Sequence, residues 1–204
     1  MLKIINHKYD SHGGFVSIPL LSVQLFPYDF EMMIFLKESS IAFPEDATML
    51  LEYLRKTSAE TPFLLREPDE VKLTLEQEIK FIQRQKEAER DLFLIATYNG
   101  KIVGNCSLMS KGSYRKLKHR CNVAIALYQE YWGNGIGEIL MKTVLEVARK
   151  AGYEQAELDV VSTNASAISL YKKLGFETYG RFPGFIKSSD GSYTDGNWMM
   201  KKLK

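Results

Sequence analysis

Cysteine is scarce in this chain, with only Cys106 and Cys121 among 204 residues. So few thiols exclude a disulfide framework, and the pair is expected to be reduced and buried, on neighbouring strands where the two could come close. The three histidines, His7, His12 and His119, have no cysteine or histidine partners at zinc spacing, so no metal site is inferred. An excess of one charge is also missing. Lys and Arg number 27 against 25 Asp and Glu, a net charge of +2, which argues against nucleic acid as a partner. Long apolar runs are lacking too. Residues 15–36 (FVSIPLLSVQLFPYDFEMMIFL) come nearest, but Pro19, Pro27, Asp29 and Glu31 interrupt them, and a membrane span needs about 18 clean apolar residues. The same stretch has neither the charged start nor the small-residue cleavage site of a signal peptide. A soluble, cytoplasmic protein that does not engage the membrane is the expectation.

The apolar share is 45%, enough for a core. Residues 1–31 show neither helical nor strand periodicity and read as an upstream extension, either dispensable or arising from a misassigned start. From Met32 the pattern changes. IFLKESSIAF (34–43) reads as a strand. Pro44 opens a helix with Leu50, Leu51 and Leu54 on one face. A second helix spans 73–89, with Thr74 and Gln77 as a capping box and Leu75, Ile79 and Ile82 as its apolar stripe. Asn99-Gly100 between two apolar runs signals a hairpin. Strands follow at 121–128 and 153–161, separated by a helix that ends at Gly152. Asn164 caps a short helix that stops at Gly175. The tail reads as FETYGRF, a break at Pro183-Gly184, and a last hairpin around SSDGS. The order is β-α-α-β-β-β-α-β-α-β-β. It describes one α+β domain over 32–204, with a mixed, mostly antiparallel central sheet flanked by helices.

Between the strand at 121–128 and the next helix, Gly133, Gly135 and Gly137 crowd into five residues. Glycine costs a helix about 1 kcal/mol, so the crowding needs a reason. A strand that runs through a glycine turn into a helix N-terminus makes a phosphate cradle. The backbone approaches the ligand, the first free N–H groups point at the anion, and the helix dipole favours it. The donors here are the N–H groups across Asn134–Gly137, reaching Glu138 and Ile139. A dinucleotide fingerprint fails, because its third glycine falls on Glu138 or Leu140. A P-loop fails because Gly137 is followed by Glu138 and Ile139.

Trp132-Gly133-Asn134-Gly135-Ile136-Gly137 resembles the acetyl-CoA signature of the GNAT family of N-acetyltransferases, Gln/Arg-x-x-Gly-x-Gly/Ala, with Trp132 in place of the leading polar residue. VSTNASAISLYKKLGF (161–176) resembles the same family's segment of strand, asparagine, short helix, tyrosine and Leu-Gly-Phe. The resemblance covers about 33–203. It implies transfer of an acetyl group from acetyl-CoA, as cosubstrate, to a primary amine of a small molecule, peptide or protein by direct attack. The strand Val123–Leu127, here Ile125, Ala126 and Leu127, offers its main chain to the acetyl and pantetheine groups and splays from the strand at 156–161. Tyr171 is the implied general acid for the leaving thiolate, and Asn164 a contact to the cofactor arm. Lys173, with Lys172, is placed for the adenosine phosphate. Relatives often form homodimers. Some carry a glutamate base at the position of Asn122, which cannot serve as one. No base is assigned, although Glu78, Glu130 and a water relay stay open. The competing expectation is an acyl-CoA sensor or interaction module without chemistry. The basic stretch KGSYRKLKHR (111–120) reads as a solvated loop or an acceptor-side contact. It lies one strand, roughly 25 Å, from the cradle.

Overall fold

The computed structural model describes residues 43–204, together with the backbone of three short strands before them. These are β1 (Asn6–Tyr9) and β2 (Phe15–Ile18), an antiparallel pair, and β3 (Phe35–Leu36). The stretch read as lacking periodicity thus holds a hairpin. Only Phe35 and Leu36 of the strand expected over 34–43 are seen as strand; residues 34 and 37–42 lie outside the described residues, and Phe43 already caps the turn that follows.

Pro44–Asp46 form a 3-10 turn whose Asp46 carboxylate accepts the Phe43 N–H at 2.8 Å. Helix α1 (Ala47–Glu60) follows and buries Leu50, Leu51 and Tyr53. Helix α2 (Leu75–Glu87) starts at the expected capping box, with Gln77 N donating to Thr74 Oγ1 and Thr74 N to Gln77 Oε1. Its stripe is narrower than expected: Ile82 is buried, but Leu75 is 47% exposed. Strands β4 (Leu92–Tyr98) and β5 (Lys101–Ser110) meet at Asn99-Gly100, both left-handed with φ 49° and 73°. That is the backbone of a two-residue primed turn.

Then come β6 (Arg120–Leu127), α3 (Ile136–Lys150), β7 (Gln155–Val161), α4 (Ala165–Lys173), β8 (Glu177–Lys187) and β9 (Tyr193–Lys202). The sheet order is β3-β4-β5-β6-β7-β9-β8, antiparallel everywhere except β6–β7. β8 does not break at Pro183-Gly184. It continues as the outermost strand with register shifts. At an edge, a proline's missing N–H leaves no sheet bond unmade.

Side chains alternate across a strand, which fixes the two faces. Asn105 faces α1, where it meets the Tyr53 hydroxyl at 3.0 Å. Cys106 faces α3, where its thiol meets Met141 Sδ at 3.7 Å. Helices α1 and α2 therefore cover β4 and β5 on one face, and α3 with α4 lies on the other. Cys106 pairs with Ile125 and Cys121 with Ser110. The two thiols are both buried, but they sit four strand positions apart, roughly 13 Å, and do not meet.

Candidate active site

Two left-handed glycines build the cradle. Gly133 has φ 77° and Gly135, the N-cap of α3, has φ 81°. The backbone there curls back before the helix begins. The first helical bond runs from Ile139 N to the Gly135 carbonyl at 3.1 Å. From Gly133 through Glu138, and so through Asn134, Ile136 and Gly137, no N–H donates to another group among the described residues. A Cβ on Gly133 or Gly135 would meet nothing within 4 Å, so both border open space. Gly137 serves a different need: a Cβ there would stand 3.4 Å from Leu170 and 3.6 Å from Ile125, so it lets α3 sit close to α4 and β6. The row of unmade donors at a helix N-terminus fits a diphosphate. A Gly135→Ala substitution forces a β-carbon residue into the left-handed region at about 1–2 kcal/mol. Acetyl-CoA affinity is expected to fall about tenfold by calorimetry.

Trp132 does not offer its ring N–H to a ligand. Nε1 donates to the Leu127 carbonyl at 3.0 Å and closes the turn, leaving the ring 37% exposed beside the cradle. Glu138 sits in the first turn of α3. Its carboxylate pairs with Lys142 at 2.8 Å and with Lys173 from the last turn of α4. Both contacts hold it below the usual carboxylate range, the Lys142 hydrogen bond most. Lys173 is thus anchored at the cradle through Glu138, while Lys172 is exposed and makes no such pair.

The gap expected between the two parallel strands is present. β6 and β7 pair only at Arg120–Gln155, Cys121–Ala156 and Asn122–Glu157. From Val123 and Leu158 onward they part, while β5 stays on β6 and β9 stays on β7. Ile125 and Leu127 face α3 and α4, and Ala126 faces α1. The Ala126 carbonyl is already taken, 2.7 Å from the Tyr53 hydroxyl. Tyr53 was not legible as a site residue: a tyrosine on an amphipathic helix looks like core. Its ring packs on Tyr128 at 5.0 Å and Lys56 lies over Tyr128. Lys56 also pairs with Glu130 at 3.1 Å, and Glu60 accepts the Gln129 N–H at 2.8 Å. Helix α1 thereby holds the turn that leads into the cradle. Glu130 is a surface acid in this latch.

Asn164 caps α4, accepting the Ala167 N–H at 3.1 Å. Tyr171 lies two turns on, with 7% of its surface exposed and its ring against Phe176. Burial, with a smaller contribution from Cys106, pushes its hydroxyl well above the ordinary tyrosine value. That hydroxyl has no hydrogen-bond partner among the described residues, so it is protonated at neutral pH and free to donate.

At the closed end of the gap the structure departs from the sequence reading. Glu157 is 2% exposed. Burial raises its carboxyl, but hydrogen bonds from Arg120 and Lys111 outweigh this and hold it down at about 2. Arg120 grips it with Nε and, at 2.7 Å, with a terminal nitrogen; Lys111 Nζ lies at 2.9 Å and Gln155 Nε2 at 2.9 Å. Lys111 also donates to Asn122 Oδ1 at 3.1 Å. Two cations of the supposed solvated loop are thus committed to the sheet, and only Arg115, Lys116 and Lys118 are left exposed. The partner acid stands 37 residues away from Arg120 in sequence, beyond any local signal. Glu78 on α2 is buried, which raises its carboxyl.

Among the described residues no three His, Cys, Asp or Glu side chains are placed to hold a metal ion. No helix there is long and apolar enough to cross a membrane. Residues 50–176 match the model of the acetyltransferase (GNAT) family. The human N-acetyltransferase 8B is 31% identical over 90 residues, 44% of this chain and 40% of that one. An N-alpha-acetyltransferase of Sulfurisphaera tokodaii is 30% identical over 105 residues, 48% of this chain and 62% of its own. The chain thus spans about half the length of these curated relatives. A GNAT-family acetyltransferase from Streptococcus pneumoniae superposes with a TM-score of 0.76 at 29% identity, over 79% of this chain and 96% of that one. The yncA protein of Salmonella typhimurium, solved with acetyl-CoA, has the same fold, with a TM-score of 0.71 at 18% identity over 80% and 92% of the chains. The matched stretch runs from α1 through the cradle to the end of α4, and by it the chain belongs to the GNAT family, whose cosubstrate is acetyl-CoA.

Proposed function

We propose that the protein transfers the acetyl group of acetyl-CoA to the α-amino group of an amino acid or peptide. The observation that carries this reading is the coincidence at one end of the sheet of three features: the unmade N–H row from Gly133 to Glu138, the parted β6 and β7, and the protonated Tyr171. The diphosphate sits on the N–H row. The pantetheine arm runs into the gap beside Ile125 and Leu127. Tyr171 donates its proton to the sulfur as the C–S bond breaks. Asn164 stands at the start of the same short helix, and Lys173 at its end. An α-amino acceptor is supported by the names of relatives, among them L-amino acid N-acyltransferase MnaT of Escherichia coli and the Sulfurisphaera tokodaii N-alpha-acetyltransferase.

A thiol-release assay with acetyl-CoA and a panel of amino acids, amino-acid amides, short peptides and polyamines tests it. Release that depends on an α-amine is the expected result. Acetyl-CoA binding by calorimetry with no release on any amine would favour a cofactor-binding module and sink the enzyme reading.

A further inference from the structure

Among the described residues, the face of the sheet turned towards α1 is covered over β4, β5 and the Ala126 end of β6, and no helix lies over β7, β9 and β8. Its residues follow from the register. Asn122 pairs with Glu157, and two positions further on, Ala124 of β6 and Asp159 of β7 stand on the same face, both exposed, where the strands have begun to part. The Asp159 carboxylate has no hydrogen bond or ion pair among the described residues. Glu157, on the same face, is fully engaged by Arg120, Lys111 and Gln155. The register partner of Asp159 on β9 is Trp198. Around Trp198 lies an aromatic shelf. Tyr179 stacks on it with centroids 6.2 Å apart and planes 18° from parallel, Phe182 lies at 5.3 Å, and Phe185 continues at 5.4 Å from Phe182.

Two glycines make room for the shelf. A Cβ on Gly180 would stand 2.7 Å from the Trp198 ring, and one on Gly196 would stand 2.6 Å from the Phe185 ring. Tyr179, Phe182 and Trp198 are 53%, 40% and 37% exposed. An aromatic surface seated on glycines beside a lone carboxylate at the mouth of the gap has the chemistry of a site for an ammonium group carrying an apolar side chain.

We infer that this face is the acceptor site: Asp159 binds the amine and takes its proton, and the Trp198 shelf holds an apolar acceptor side chain. The inference rests on the acetyl-transfer reading above. Tyr171 lies on the α3–α4 face and Asp159 on the other, so base and acid flank the gap from opposite sides. The acceptor arrives as an ammonium. One N–H proton passes to Asp159 and on to solvent. The freed nitrogen attacks the thioester carbonyl, the N–C bond forms and the C–S bond breaks. Tyr171 protonates the thiolate, and the second proton lost from nitrogen restores Tyr171 through solvent. Asn122, where some relatives carry a glutamate, is held by Lys111 and takes no part in proton transfer.

The test uses the full chain, acetyl-CoA, and the amides of Phe, Leu, Met, Gly and Lys with spermidine. Wild-type turnover on any of these establishes acetyl transfer independently of the variants. The expected order is Phe, Leu and Met amides above Gly amide. Asp159→Asn, an isosteric change at an exposed position, is expected to lower kcat/KM about 10²–10⁴-fold with acetyl-CoA affinity and melting temperature unchanged. Trp198→Ala is expected to erase the preference for apolar side chains through KM. Each of these results would overturn the inference: turnover confined to Gly amide or spermidine, an Asp159→Asn enzyme as fast as wild type, or a Trp198→Ala enzyme with its preference intact. Acetyl-CoA binding without turnover of any apolar amide overturns it as well.

Discussion

Tyr171→Phe is expected to lower kcat by about 10²–10⁴-fold while leaving acetyl-CoA affinity within a factor of two. Burial keeps the hydroxyl neutral, and it bonds nothing among the described residues, so removing it deletes a proton donor and little else. Because the ring against Phe176 is retained, the melting temperature should hold. The pH profile carries a second signature. A hydroxyl whose pKa is raised loses its proton only above the ordinary value near 10, so the wild-type kcat should show no descending limb from this group below about pH 10. Single-turnover rates with the two proteins, set beside calorimetric acetyl-CoA binding, check both statements. Equal rates would remove Tyr171 from the chemistry.

The largest stability effect is expected at Glu157. Replacing it by Gln leaves Arg120 and Lys111 facing a neutral amide in a buried site, a loss of about 3–5 kcal/mol. For a chain of this size that is a fall of about 10 °C or more in melting temperature. The pH dependence follows from the same group. The folded carboxyl titrates at about 2, below its unfolded value near 4.3, so its contribution is complete above the unfolded value and is lost as pH falls through the folded one. That contribution is on the order of 3 kcal/mol. Urea midpoints measured between pH 6 and pH 2 should therefore fall more steeply for wild type than for Glu157→Gln. Parallel curves would mean the carboxylate is not stabilised by its two cations.

What the chain announces locally was legible. Asn99-Gly100 makes a hairpin because two consecutive residues must turn left-handed, and Thr74 with Gln77 caps a helix because three residues of spacing suffice. Gly133 and Gly135 announced the left-handed turn into α3 for the same reason: a backbone conformation is written in one or two residues. The rest of the site depends on which residues face one another across strands. Lys111 and Arg120 looked like a solvated loop until β6 fell beside β7 and set Glu157 between them. Tyr53 is a core residue of α1, and only the sheet places the Ala126 carbonyl at its hydroxyl. Asp159 is one of two acids in β7, and nothing near it in sequence tells that it, unlike Glu157, stands where two strands part. Pro183 read as a break because a proline's effect depends on whether its strand has a neighbour on that side.

The chain has two tryptophans, and the fold sets them apart in a useful way. Trp132 is pinned at the entrance to the cradle, and Trp198 lies in the shelf beside Asp159. On the proposed sites, each indole serves as a built-in optical probe of a different substrate. With Trp198→Phe, emission changes track cofactor arrival alone; with Trp132→Phe, they track the acceptor. Stopped-flow traces of the two variants read the order of substrate binding directly, without a label.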